Sequence, residues 1–382
     1  MSALKLDIGL VLCLASAAYA VLTLVAFRFA RGRRARAPKV WLGVSILKPL
    51  HGAEPRLYEN LASFCRQDYP QSQLLLGVRD AQDPAVQIAH RLQRQFPQHD
   101  IEVVIDPRLH GRNYKVSNLT NLLAHARHPW LVIADSDISV GQDYLRHVCA
   151  PLARPEVGTV TCLYRARPLG GLWSQLGRLF IDEWFVPSVH LTKLFGAREF
   201  GFGATLALRR ITLDDIGGFT AITDELADDY RLAQRVRACG LQTELSDYVV
   251  TTDVSEPSAR GLLARELRWL RTIRMLNPVG YAFMPISFDI AVACVGTLLA
   301  DADPTALVLL ATACLARAAL HFAVMERSEG WVRRALLTLP LVPLRDTLNV
   351  ALWGIGFARR RVAWAGQDLQ FDHKGLFRDS AS

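Results

Sequence analysis

The 382 residues suffice for about two domains at ~150 residues each, and 51% hydrophobic against 21% charged residues excludes a disordered or collagen-like chain. Such a chain is also too apolar for an ordinary soluble enzyme. Lys and Arg number 44 against 36 Asp and Glu, a net charge of +8 suited to nucleic acid, an anionic membrane surface or phosphorylated substrates, and the seven cysteines form no CxxC pair, which excludes a disulfide framework or zinc site.

In chain order, the first element is an uncharged run of 20 residues, Ile8 to Phe27. At about 1.5 Å per residue it spans a ~30 Å hydrocarbon core as one helix. Arg28, Arg31, Arg33, Arg34, Arg36 and Lys39 follow. Flanking basic residues favour the cytoplasmic side, so residues 1–30 read as an anchor with its N-terminus outside, and 31–41 as a basic linker. A cleaved signal peptide is the competing reading, because Ala18-Tyr19-Ala20 resembles a cleavage site, but the apolar run continues past it.

Residues 42–258 read as a globular α/β domain. Val44-Ser45-Ile46-Leu47, Leu74 to Val78, Glu102 to Ile105 and Trp130 to Ala134 are short apolar strands, and 84–95 and 117–127 have helical spacing. Near-continuous apolar strands alternating with helices predict a mainly parallel sheet. Ligands of such sheets bind just beyond the carboxyl ends of the strands, where Asp80, Asp106, Asp135 and Asp137 fall. Asp135-Ser136-Asp137 places two carboxylates on one turn, a pattern that holds a hard divalent cation against substrate phosphates or, more blandly, makes a helix cap or Asx-turn. Asp228-Asp229-Tyr230 opens a helical stretch. It reads either as acidic residues favoured by the helix dipole or as a general base. Gly201 to Thr205 either lines an acceptor site or makes a tight turn, and His51 and His110 lie near strand ends.

Residues 259–280 form a basic amphipathic segment in which Arg265, Arg268 and Trp269 stand at i, i+3 and i+4 of a helix and share one face. A membrane-surface helix explains it equally well. No nucleic-acid motif accompanies the charge. Three apolar stretches follow, near 281–300, 304–325 and 335–357, the first two joined by Asp301-Ala302-Asp303 in a tight hairpin. Asp289 and the pair Arg345-Asp346 lie inside these stretches and should face protein or a water-filled cavity, unless 281–325 is the core of a soluble domain. Three spans would place Arg359-Arg360-Arg361 outside, against the positive-inside rule, so 335–357 is expected to be re-entrant and 358–382 to be a cytosolic tail.

Three ordered acidic motifs, an RxxRW segment and membrane helices together resemble the GT-A glycosyltransferases of family 2, processive type, and their relatives, and most closely the ceramide glucosyltransferase family (family 21). The matching residues are Asp80 in Val78 to Pro84, Asp135 to Asp137, Asp229, Arg265/Arg268/Trp269, Gly111 to Leu119, which is similar to a GxNxKxxNL segment, and the tail around Ala351-Leu352-Trp353 and Arg359-Arg360-Arg361. Arg265 to Arg274, followed by Pro278 and Gly280-Tyr281, is similar to the bacterial branch that adds N-acetylglucosamine to bacteriohopanetetrol in hopanoid biosynthesis.

The resemblance implies a Rossmann-like GT-A domain facing the cytoplasm, carried on the inner cell membrane by one N-terminal and two to three C-terminal helices. It implies an inverting transfer from a UDP-sugar to a hydroxyl of a lipid, either hopanoid or ceramide. Asp80, Lys115, Asn118, Asp135 and Arg265 would hold the nucleotide sugar, and Asp135 and Asp137 would hold Mg2+ or Mn2+. Asp229 would deprotonate the acceptor, while Arg268 and Trp269 close over the diphosphate and acceptor. The competing class is a non-catalytic membrane scaffold or transport component, in which the acidic residues only cap helices.

Overall fold

Eight strands build the central sheet: β1 (Val44–Leu50), β2 (Ser72–Val78), β3 (Asp100–Ile105), β4 (Trp130–Ile133), β5 (Ile138–Ser139), β6 (Val157–Pro168), β7 (Leu206–Arg209) and β8 (Gln242–Val254). These come from a computed structural model that describes residues 3–30, 36–326 and 330–358 and the strands Arg361–Trp364, Gln367–Phe371 and Phe377–Arg378. The order is β3-β2-β1-β4-β7-β6-β8-β5. The expected parallel ladder is present, with β2 on one side of β1 and β4 on the other and β3 beyond β2. An antiparallel half extends it, in which β7 pairs with β4 and β6, and β5 with β8.

The parallel strands read as unbroken apolar runs because both faces of the sheet are covered. Side chains alternate across a strand, so Ile46, Leu74, Leu76 and Val132 enter one core while Leu47, Leu75, Leu131 and Ile133 enter the other. Helices Leu57–Phe64 and Ala85–Gln95 close the first core with Leu57, Leu61, Ala85, Ala89 and Leu92; helix Tyr114–Leu123 closes the second with Val116, Leu119 and Leu122. These residues recur at three and four positions, the spacing of one helix face. Each fully buried Leu is worth about 1.5–3 kcal/mol of transfer free energy.

The chain divides into two units. The sheet unit takes in the described parts of Arg31–Arg167, Arg198–Asp253 and Gly375–Ser382, and a helical unit takes in the described parts of Met1–Ala30, Pro168–Ala197 and Val254–Lys374. Pro168–Ala197 therefore leaves the span 42–258 that sequence pattern assigns to one domain. Its residues bond to the apolar ends of the chain instead: Ser188 to Tyr19 (2.8 Å) and Trp184 to Ser287 (2.8 Å).

Helices Ala3–Phe29 and Pro304–Met325 are long and apolar enough to cross a membrane. Two bent pairs, Pro278–Ser287 with Asp289–Leu299 (75°) and Trp331–Thr338 with Leu341–Gly356 (51°), pass the same test only if each counts as one broken span. The expected hairpin is present between Asp289–Leu299 and Pro304–Met325, with Asp301 and Ala302 at φ 55° and the Asp303 carboxylate accepting the Thr305 N–H (2.8 Å). Gly9 and Gly296 let the first helix and Asp289–Leu299 touch, since a Cβ on Gly296 would stand 2.7 Å from the Gly9 carbonyl oxygen.

The ionisable residues inside the apolar stretches face protein. The Arg317 guanidinium lies 3.4 Å from Glu183, 3.5 Å from Asp289 and 3.5 Å from Asp346, and His321 lies 2.7 Å from Glu183. Arg361–Trp364 and Gln367–Phe371 pair antiparallel in the tail. Linker residues 31–35 and the Arg359-Arg360-Arg361 side chains lie outside the described residues.

Candidate active site

Lysine is an odd residue for a buried strand, yet β1 carries Lys48 fully buried. Its ammonium donates to the Asp135 carbonyl (2.5 Å), tying β1 to the end of β4, and sits 4.0 Å from the Phe64 ring centroid. Burial pushes it down to about 7 against the pull of Asp137 and Asp135. At the end of β4 the chain turns at Asp135-Ser136-Asp137, where the Ile138 N–H returns to the Asp135 carbonyl (3.3 Å). Thr252 on β8 donates its hydroxyl to Asp137 Oδ2 (2.7 Å).

Helix Tyr114–Leu123 supplies the second ammonium. Asn113 caps it, its side-chain oxygen accepting the Val116 N–H (3.1 Å) while its amide donates to the Glu225 carbonyl (2.9 Å). That cap places Lys115 2.7 Å from Asp135 Oδ1 and 3.4 Å from Asp228 Oδ2. Burial alone would lower the ammonium, but Asp135, Asp228 and Asp229 outweigh it and hold Lys115 firmly charged.

Asp228 and Asp229 occupy the first turn of helix Asp228–Ala238, as the bland reading required. The structure also brings them to the β4 turn. Asp229 accepts two backbone N–H groups, Gly203 (2.7 Å) on Oδ2 and Tyr230 (2.8 Å) on Oδ1. Gly203 is the meeting point, because a Cβ there would stand 3.2 Å from Asp135 Oδ2, 3.2 Å from Asp229 Oδ2 and 3.4 Å from Lys115 Nζ. Burial and the neighbouring Asp228 push Asp229 up to about 6. Burial and Asp135 do the same to Asp137, also to about 6.

Sequence pattern missed two members of this site. Lys48 lies just past the apolar run Val44 to Leu47, and the strand extends through it to Leu50. Glu54, in the loop after β1, lies near the Asp135-Ser136-Asp137 turn, where burial and Asp137 push it up to about 7. It gave no signal beyond being a lone acidic residue after a glycine.

Five carboxylates (Glu54, Asp135, Asp137, Asp228 and Asp229) thus face two ammoniums. The donor set suits a hard cation. Asp135 is 36% exposed and directs Oδ2 toward Gly203 with Oδ1 on Lys115, and Asp137 gives only Oδ2 to Thr252. Among the described residues no group of three or more His, Cys, Asp or Glu side chains is placed to hold a metal ion, so a cation here would need further oxygen ligands from water or a substrate.

The other expected site residues have partners outside this cluster. Asp80 is exposed at the end of β2 and accepts the Gln82 N–H (2.9 Å). Asn118 donates to the Gly77 carbonyl (2.8 Å) and so joins its helix to β2. His51 contacts Asp83 (3.1 Å) and His110 contacts Asn121 (2.7 Å).

Arg265, Arg268 and Trp269 lie on helix Ala259–Leu276 of the helical unit, capped by Ser258. Arg265 pairs with Glu256 and sits 5.0 Å from the Trp269 ring centroid, and Trp269 stacks on Phe180 at 5.8 Å. Arg265 Nε and Nη2 are buried without a hydrogen-bond partner among the described residues.

A family model described as Glycosyl transferase family 21 matches residues 8–377. Ceramide glucosyltransferase 1 of Caenorhabditis elegans is 24% identical over 230 residues, 60% of this chain and 49% of that protein. A ceramide glucosyltransferase of Gibberella zeae is 30% identical over 132 residues, 32% of this chain and 25% of its own. The chain thus spans about half the length of the worm relative and a quarter of the fungal one. Among solved structures, a mannosyltransferase from Pyrobaculum calidifontis in complex with GDP-Man and Mn2+ superposes with a TM-score of 0.53 at 22% identity, covering 90% of this chain and 98% of that one. The GT-A fold is common to both. With the family model spanning nearly the whole chain, this protein belongs to glycosyl transferase family 21.

Proposed function

We propose that this chain transfers a hexose from a UDP-sugar to a hydroxyl of a membrane lipid, with inversion at the anomeric carbon. The observation that carries this reading is the meeting of two acidic motifs, distant in sequence, at Gly203 and Lys115. Asp135 and Asp137 would hold Mg2+ or Mn2+, which when bound offsets the charge that builds on the diphosphate leaving group. The solved mannosyltransferase contains Mn2+ with its GDP-sugar. Lys115 adds a fixed positive charge beside that group, and Arg265 would also serve the nucleotide sugar. Asp80 and Asn118 would lie toward the nucleoside, and Arg268 and Trp269 toward the diphosphate and acceptor.

Asp229 takes the acceptor proton. Its position near 6 keeps it ionised at neutral pH yet basic enough to receive the proton. As the acceptor oxygen bonds to the anomeric carbon, the carbon–phosphate oxygen bond breaks, UDP leaves and the proton passes to Asp229. One displacement suffices, so no covalent nucleophile is needed.

Two acceptors have support. The similarity of Arg265 to Arg274 to the hopanoid branch favours N-acetylglucosamine and bacteriohopanetetrol; the curated relatives are named ceramide glucosyltransferases, which favours glucose and ceramide. The basic residues after Phe27 support an inner-membrane location with the sheet unit cytoplasmic. The 51° break between Trp331–Thr338 and Leu341–Gly356 supports a re-entrant hairpin, which cysteine accessibility beyond residue 361 tests.

The functional test pairs UDP-N-acetylglucosamine or UDP-glucose with bacteriohopanetetrol or ceramide, using the detergent-purified full chain and mass spectrometry of the lipid product. One pairing should give a glycolipid, and EDTA should abolish it. No product and no UDP release in any of the four would overturn the reading in favour of a scaffold.

A further inference from the structure

We propose that Arg345, a charged residue in the last apolar stretch, positions the RxxRW segment for transfer. This rests on the reading above that Arg265, Arg268 and Trp269 act in transfer.

Arg345 lies on helix Leu341–Gly356 and is fully buried. Its guanidinium makes a two-pronged bond to Glu266, Nη1 to Oε1 at 3.0 Å and Nη2 to Oε2 at 2.7 Å, and Nε donates to Asn349 Oδ1 at 2.9 Å. Glu266 is equally buried and lies within the motif, directly after Arg265. Arg345 also lies 5.1 Å from the Phe180 ring centroid, the ring on which Trp269 stacks. One side chain therefore touches the motif twice, through Glu266 and through the Phe180–Trp269 stack.

Buried ion pairs rarely add net stability, because desolvation offsets the attraction and apolar pairs of similar volume do as well or better. What a planar fork adds is direction. Two bonds from a fixed guanidinium to one carboxylate set the rotation of helix Ala259–Leu276 about its axis, and with it where Arg265, Arg268 and Trp269 point. Lysine has no such fork.

The test uses the full chain in detergent with whichever donor and acceptor give product in the four-way assay. In Arg345→Met/Glu266→Met no buried charge is left unpaired. Its melting temperature should fall by no more than a few degrees, from the orphaned Asn349 side-chain oxygen, while kcat falls by about 10²-fold and KM for the UDP-sugar changes little. Arg345→Lys keeps the charge but loses the fork and should show the same split in milder form; it carries the test should the double variant not fold. Wild-type kcat in either folded variant overturns the proposal. Trp269→Ala separates the two claims. If it is inactive while the Arg345 variants turn over normally, only the positioning role fails. If it is fully active, the reading of the RxxRW segment fails with it.

Discussion

Replacing Asp229 with Asn separates the base role proposed for this carboxylate from its part in the fold. It accepts the N–H groups of Gly203 and Tyr230, one on each oxygen. An amide of the same shape keeps one acceptor and turns an NH2 toward the other N–H. That leaves a buried donor unpaired at a cost of about 1–3 kcal/mol. The substitution also removes a burden. Asp229 sits near 6 instead of its ordinary 3.8, so above pH ~6 the folded state carries on the order of 3 kcal/mol against the charged form. The folded value is the higher one, so this group's contribution to stability falls as pH rises from about 4 to about 6 and is at its lowest above that. The two effects nearly cancel at pH 7.5, and Asp229→Asn should melt within a few degrees of wild type.

Turnover should nonetheless drop by about 10²–10⁴-fold, the worth of a general base. Initial rates of UDP release and lipid product, with thermal unfolding in the same detergent, measure both. Wild-type kcat/KM should climb with pH to about 6 and then level, and the variant should lack that rise. Residual turnover above about a tenth of wild type, with folding intact, would refute the base assignment. A melting temperature lowered by more than about 8 °C would show instead that the paired N–H bonds dominate.

Two further substitutions test close approaches. Gly203→Ala places a methyl 3.2 Å from Asp135 Oδ2 and Asp229 Oδ2; turnover should fall by about 10²-fold while the melting temperature shifts little, and an active variant would show that the contact at Gly203 is dispensable. Gly296→Leu forces a side chain into the Gly9 carbonyl and Cys13 Sγ, each 2.7 Å from the new Cβ, and should destabilise the chain by about 1–3 kcal/mol or more. Gly354→Ala, with open space around its Cβ, should be neutral or slightly stabilising, and equal melting temperatures for the two would refute the packing argument.

The parallel half of the sheet was legible in the sequence because two-sided burial writes itself as uninterrupted apolar runs such as Leu74 to Val78. The antiparallel half was not. β6 holds buried Thr159 and Thr161, and β8 follows an irregular inside–outside pattern that no simple alternation reveals. Pro168–Ala197 misled for another reason: its helices are ordinarily apolar, and only partners distant in sequence, such as Tyr19 and Ser287, show which unit claims it. Within the site, Asp135, Asp137 and Asp229 were legible because each sits at the end of a strand or the start of a helix, whereas Lys115 was legible only through the resemblance of Gly111 to Leu119 to a family segment. Glu54 was invisible because its neighbour Ser136 is remote along the chain. Arg345 stood out only as an oddity, since nothing in the sequence names Glu266 as its partner.

The excursion Pro168–Ala197 also governs how this protein can be handled at the bench. The backbone passes from the sheet unit to the helical unit after Arg167 and returns before Arg198, then leaves again after Asp253. Trimming both termini therefore yields no clean water-soluble catalytic fragment. A truncate beginning after residue 36 and ending near 253 still carries the loop with Leu172–Phe180 and Val186–Leu194, stripped of the helices those residues bond to. Such a product should aggregate unless the loop is replaced by a short polar linker joining Arg167 to Arg198.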